Sequence, residues 1–247
     1  AGGFRKGEPR RIVLATTTSV RDCGLLDVLI PAFEKETGIS VAPIAVGSGE
    51  ALRMGRDGNA DVMLVHDPRG EEKMAEDGLI EDDSEIMRSR FVVVGPAADQ
   101  AGLSSLHTGQ EVFAKLGAVQ ATFVSRGDDS GTHRLEERMW KTAGLDPPQD
   151  AMWYVSVGAG MMHALRVASE KQGYCLADTA TWLKARKDLD LEVLVDSDAP
   201  EWANVYSVLL LAPAKFPALN HEGARRFSDF VTTGSGRGIL RSFGIAE

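Results

Sequence analysis

The sequence predicts an α/β protein of two lobes, the first built from both ends of the chain. Three observations carry this. Short β-branched runs alternate with amphipathic segments along most of the 247 residues, the pattern of largely parallel sheets joined by helices. Two long apolar segments, "RFVVVGP" and "NVYSVLLLAP", end at proline with no helix following at once to return them to their own sheet, so they read as connecting strands around an inserted domain. A hydrophobic content of 43% with 26% charged residues is that of a globular chain long enough for one large core or two smaller ones. The expected division is 1–93 plus 207–247 as lobe I and 94–206 as lobe II, with hinge strands near 90–96 and 204–211.

The elements follow in order. "IVLAT" (Ile12 to Thr16) is a strand. "LLDVLIPAFEKETG" places Leu25, Leu26, Leu29, Ile30 and Phe33 at helical spacing, with Gly38 as its stop and Pro31 as a site for a kink or an offset start. "SVAPIAV" is the next strand, followed by a helix from about Glu50 to Arg56, the strand "DVMLVH" and a short helix, "GEEKMAEDG". After "RFVVVGP" the pattern restarts with helix "QEVFAKLG", strand "QATFVS" and helix "THRLEERMWKTAG". Strand "WYVSV", helix "MMHALRVASEKQG" and strands "YCLADTATW" and "LEVLV" come next. "NVYSVLLLAP" leads to two final helices, near "HEGARRFSDFVTTG" and "RGILRSFG".

A net charge of -9 argues against nucleic acid as a partner, because phosphate binding needs a concentrated basic surface. It leaves a small anion open, since a buried site answers to its local donors. No apolar run approaches the roughly 20 residues of a membrane span. The opening "AGGFRKGEPRR" has no apolar signal-peptide core, which fits a cytoplasmic chain or a mature exported one. Cys23 and Cys175 are the only cysteines; two buried free thiols are expected, with one disulfide as the alternative.

In open α/β sheets ligands gather where strand ends run into helix N-termini, whose unpaired N–H groups suit anions. Four such junctions are rich in donors: "ATTTSVRDCG", "VGSGEA", "SRGDDSGTH" and "VGAGMM". Each alone is an ordinary capped turn; four at successive strand ends read as an anion site. Arg126 is the one obvious cation among them. It has two readings, an anion ligand or a surface salt bridge to Asp128 or Asp129. Asp129 also reads as a cap that fixes the turn. His133 beside the hydroxyls suggests a base, but adjacent helix positions do not face each other and no serine sits in a G-x-S-x-G elbow. The other histidines lack metal spacing, so neither a catalytic set nor a metal-ligand set assembles.

Four blocks, "LATTTSVRDCGLLDVLIPAFEKETG", "VGSGEAL", "SRGDDSGTHRLE" and "GAGMMHALRVASEKQGYCLADTATWL", resemble the tungstate-binding proteins of bacterial ABC importers, relatives of the molybdate-binding proteins. The resemblance runs from about Ile12 to Phe243. It implies the type II periplasmic-binding-protein fold: each lobe a mixed, mostly parallel sheet flanked by helices, two hinge strands, and a tetrahedral oxyanion in the cleft. Carried over by position, the donors are Thr18, Ser19, Ser48, Arg126 and Thr132, with Ser130 as a further candidate and backbone N–H groups near Gly160 and Met161. The chain departs from the family pattern at Cys23, where Thr or Ser is expected, and at Tyr174-Cys175-Leu176, where the family reads Y-T-L. Both changes bear on the disulfide question.

The function implied is capture of tungstate, with molybdate as the close alternative, outside the cytoplasmic membrane by a mature monomeric chain, and delivery to an ABC permease. No reaction, cofactor or protein-bound metal cation is implied. Sulfate is smaller and leaves donors unpaired, and protonated phosphate needs a buried acceptor, for which the donor loops offer only Asp128 and Asp129. Two rivals remain: an enzyme of the same fold using Arg126 to grip a substrate phosphate, and a regulatory sensor, for which the residues before the first strand leave no DNA-binding domain.

Overall fold

A computed structural model of the chain describes residues 11–242. The chain divides into two compact units, Ala1–Met87 with Val205–Glu247, and Arg88–Asn204. The opening stretch before Arg11 and the last residues of "RGILRSFG" lie outside the described residues.

Unit 1 starts with β1 (Arg11–Thr17), α1 (Thr18–Asp22), α2 (Leu25–Thr37) and β2 (Ser40–Val46). It continues through α3 (Ser48–Arg56), β3 (Val62–Val65) and α4 (Pro68–Glu76) into β4 (Ile80–Gly95). β1 is central, parallel to β2 (Arg11 opposite Ser40) and to β3 (Leu14 opposite Val62). Helix α2 buries Leu25, Leu29 and Phe33 and stops at Gly38, whose φ of 71° closes the last turn through an N–H to the Glu34 carbonyl. Pro31 does not end it; the ring lies on the exposed face, where losing one backbone bond is tolerated.

β4 is longer than the apolar run "RFVVVGP", because its first half, "IEDDSEIMRSR", is charged and mostly solvent-facing and carries no apolar signal. The units also divide earlier than expected, at Met87/Arg88 and not inside the apolar run. The reason is packing: Phe91 and Val93 join one core of unit 2, and Val92 and Val94 another.

Unit 2 comprises the rest of β4, α5 (Gly109–Val119), β5 (Phe123–Ser125), α6 (Gly131–Thr142), β6 (Tyr154–Ser156), α7 (Met161–Lys171), β7 (Tyr174–Asp178), α8 (Thr179–Ala185) and β8 (Glu192–Val195). β4 runs antiparallel to both β7 and β8, while β5 lies parallel between β7 and β6. Alternate residues face two cores, as a strand's period of two requires. Tyr174 and Leu176 join Phe113, Phe123 and Trp140 on one side; Cys175 and Ala177 join Met161, Ala164 and Leu165 on the other. The stretch "YCLADTATW", expected as one strand, is a strand only to Asp178. There the Asp178 Oδ1 accepts the Thr181 N–H at 2.8 Å and starts α8, a local capping bond that overrides the β-branched run.

The chain returns to unit 1 as β9 (Ala203–Leu211), antiparallel to β3, and ends in α9 (His221–Thr232) and α10 (Gly236–Ser242). Phe227 and Phe230 of α9 meet Phe33 edge-on at 5.2 and 5.4 Å.

One buried acid in unit 1 makes stability pH-dependent. The Glu71 carboxyl accepts the Asp67 N–H at 2.6 Å and bonds to the Ser207 hydroxyl of β9, which also bonds to the Asp83 carboxyl of β4. One hydroxyl proton cannot serve two carboxylates, so a proton on one of them completes the set. Burial, with added repulsion from Asp83 and Asp67, pushes Glu71 up to about 7. A raised carboxyl pKa means that the folded chain holds its proton more tightly than the unfolded one. The stabilisation is therefore full below about 4.5 and is lost as pH rises to about 7, on the order of 3 kcal/mol in all. Denaturant unfolding across pH 4.5–7.5 should show this decline, and Glu71→Gln should flatten it. An equal slope in the variant would assign the effect elsewhere.

Candidate functional site

In unit 1 the donor-rich junctions lie at the ends of β1 and β2. The first two threonines are occupied by the fold. Thr16 Oγ1 donates to the Leu64 carbonyl at 2.7 Å and ties β1 to β3. Thr17 caps α1 by accepting the Val20 N–H at 3.4 Å, and its hydroxyl lies 3.0 Å from His66 Nε2. Thr18 and Ser19 are the first two residues of α1, half-buried and buried respectively. Ser48 opens α3 behind Gly47, a cap residue that makes no side-chain bond; Ser48 is 2% exposed, and its hydroxyl has no hydrogen-bond partner. His66 carries no signal in the sequence that marks it out. It is buried, stacks on Tyr206 at a ring distance of 4.8 Å, and holds the Thr17 turn in place.

In unit 2 the turn after β5 is built around Arg126. The side chain is 1% exposed, with Nε and Nη2 donating to Asp128 Oδ2 at 3.1 and 2.6 Å. The pairing expected as a surface salt bridge therefore exists, but the guanidinium is buried. Asp128 Oδ1 accepts the Ser130 N–H at 3.2 Å, which closes the loop. Gly127 has φ of 59°, and a Cβ there would fall 1.8 Å from Ser156 Oγ, so only glycine fits. The cap of α6 is Ser130, which accepts the His133 N–H at 3.3 Å; the capping role expected of Asp129 is not seen. Asp129 instead pairs with Arg134 at 2.9 Å, and that hydrogen bond holds its carboxyl below the ordinary range. His133 Nδ1 accepts the Asp129 N–H at 3.1 Å, which ties the ring to the start of α6.

Thr132, one residue into α6, is 2% exposed and its hydroxyl has no hydrogen-bond partner. The "VGAGMM" junction lies alongside. Val157 N–H donates to the Ser125 carbonyl and Ala159 N–H to the Arg126 carbonyl, both at 3.1 Å, which sets the start of α7 beside the Arg126 turn. Gly160 is the α7 cap and makes no side-chain bond, and Met161 is fully buried. The structure thus brings Arg126, Ser130, Thr132, Gly160 and Met161 into one neighbourhood of unit 2.

Beneath this turn sits Glu136, which sequence reasoning also misses. It accepts Tyr154 Oη–H at 2.7 Å and Trp140 Nε1–H at 3.2 Å, and bonds to the Ser125 hydroxyl. Burial pushes its carboxyl pKa up, against these three bonds. Since Ser125 Oγ in turn accepts the Gly127 N–H at 3.2 Å, Glu136 anchors the loop that carries Arg126. Cys23 and Cys175 are buried thiols not joined in a disulfide, one in each unit.

Buried hydroxyls left unbonded cost about 1–3 kcal/mol each, and folds retain few of them. Here two, Ser48 and Thr132, stand at the N-termini of α3 and α6. Within unit 2, Thr132 with the backbone N–H groups and the buried Arg126 makes a donor set that fits an oxyanion.

Residues 5–235 match the family model described as a PBP superfamily domain. The tungstate-binding protein TupA of Peptoclostridium acidaminophilum is 42% identical over 94% of this chain and 81% of that relative. Its namesake from Campylobacter jejuni is 35% identical over 91% and 84%. Among solved structures, the tungstate ABC transporter protein of Geobacter sulfurreducens superposes with a TM-score of 0.79 at 38% identity, covering 96% of this chain and all of that one.

Proposed function

This chain belongs to the PBP superfamily and, within it, to the tungstate-binding proteins of ABC importers, and from that premise we propose that it captures tungstate and hands it to a membrane permease. Thr18, Ser19, Ser48, Arg126, Ser130 and Thr132, with the backbone N–H groups at Gly160 and Met161, supply the donors. Ser130 contributes through its hydroxyl proton, because its N–H is held by Asp128 while the hydroxyl only accepts the His133 N–H in capping α6. Capture takes place outside the cytoplasmic membrane, by a monomer, and the protein works by binding, without a reaction or a cofactor.

The observation that carries this reading is the pair of buried, unpartnered hydroxyls at Ser48 and Thr132. Such donors suit an oxyanion, and Asp128, the carboxylate bonded to Arg126, is committed through both oxygens to Arg126 and Ser130. Molybdate has nearly the same size and charge and is the second reading.

A thermal melt tests it. A ligand that binds only the folded chain stabilises it by about 2.7 kcal/mol at one hundred times its Kd. Micromolar tungstate should therefore raise the melting temperature by several degrees. A rise with sulfate or phosphate, and none with tungstate or molybdate, overturns the assignment.

A further inference from the structure

Asp178 is a buried carboxylate that the donor set above does not use. It ends β7 and is 1% exposed. Its Oδ1 caps α8, and Oδ2 has no hydrogen-bond partner among the described residues. The pairing of β5 with β7 sets Phe123 opposite Tyr174 and Val124 opposite Cys175. Continued for two residues, that parallel register places Arg126 opposite Ala177, next to Asp178, at adjoining strand ends.

The charges around Asp178 are few. From the β5 side comes Arg126, whose positive charge favours the ionised carboxylate, with Asp128 two residues further on. From β4 the residue opposite is Phe91, which is uncharged. Glu136 of α6 acts on the same strand at Cys175, and Thr181 lies on Asp178's own helix. Burial works against ionisation and pushes the carboxyl pKa up, and Arg126 is the one cation opposing it.

We propose that Asp178 takes up a proton from solvent when an oxyanion binds at Arg126, so that anion capture is proton-coupled. The inference rests on Arg126 contacting the anion. A bound dianion offsets the field of Arg126, which with the Thr181 bonds favours ionised Asp178, so the buried carboxyl holds a proton more tightly once the anion is in place. The new O–H bond on Oδ2 converts a repelling acceptor into a neutral group with a proton to donate. By linkage, affinity then falls as pH rises across the titration of Asp178, by up to tenfold per pH unit for one proton.

Isothermal titration of the wild-type protein with sodium tungstate, in two buffers of different ionisation heat at several pH values from 5 to 9, counts the protons directly. Net uptake is expected within that range, and Asp178→Asn, which keeps the Oδ1 cap on α8, should bind with neither uptake nor the slope. Heat of binding with no proton uptake at any pH overturns the inference and leaves tungstate capture standing. The same uptake in Asp178→Asn overturns it in favour of another group. No binding heat at any pH refutes the tungstate reading itself, and this inference with it.

Discussion

Arg126→Ala is expected to weaken tungstate binding by roughly 30- to 1,000-fold, the loss of a charge-assisted contact worth about 2–4 kcal/mol. The guanidinium is 1% exposed and already oriented through Nε and Nη2 on Asp128, so little ordering entropy is spent when an anion meets it. The fold should survive. Asp128 loses both guanidinium bonds, but it is 17% exposed and keeps the Ser130 N–H, so water replaces part of what is removed. Arg126→Lys should fall between the two, with the charge kept and the planar fork lost. Calorimetric titration of the folded variants decides it: an unchanged Kd in Arg126→Ala would leave this arginine a purely internal ion pair.

Thr132→Val and Ser48→Ala should separate binding from stability in the opposite way to most core substitutions. Neither hydroxyl has a partner among the described residues, so removing it breaks none of the bonds seen there and relieves a desolvated polar group. Melting temperatures are expected to stay level or rise. Affinity for tungstate should fall by roughly 5- to 30-fold for each variant, about 1–2 kcal/mol, because each removes one donor from a desolvated anion. Lost stability with intact affinity, the reverse pattern, would make these hydroxyls structural and remove the main support for the site.

Much of the fold and of the candidate site is legible in the sequence. The Ser125 to His133 turn reads as a donor-rich strand-to-helix junction because capping chemistry is local: a hydroxyl, a glycine with positive φ and the N–H groups that follow lie within a few residues of one another. The error at "YCLADTATW" has the same origin. Asp178 as a cap outweighs the β-branched pattern after it, and a period-two reading gives a cap no weight.

What the sequence by itself determined is the alternation of strands and helices and the four junctions where donors collect, since each rests on periodicity or spacing within a single stretch of chain, and, through the resemblance of four separate blocks, the family. The tertiary structure alone decided which donors are already engaged. Thr16 is bound to β3, Thr17 to α1 and His66, and the Ser130 N–H to Asp128, while Ser48 and Thr132 keep buried hydroxyls with no partner among the described residues. It also decided that Glu136 braces the Arg126 loop and that Asp178 ends the strand beside it. The reason is physical: burial and hydrogen-bond partners depend on which strands pair, and β5 lies against β7 through a register that joins stretches remote in sequence. A carboxylate's charge and a hydroxyl's availability are properties of that packing, and no local pattern of residues encodes them.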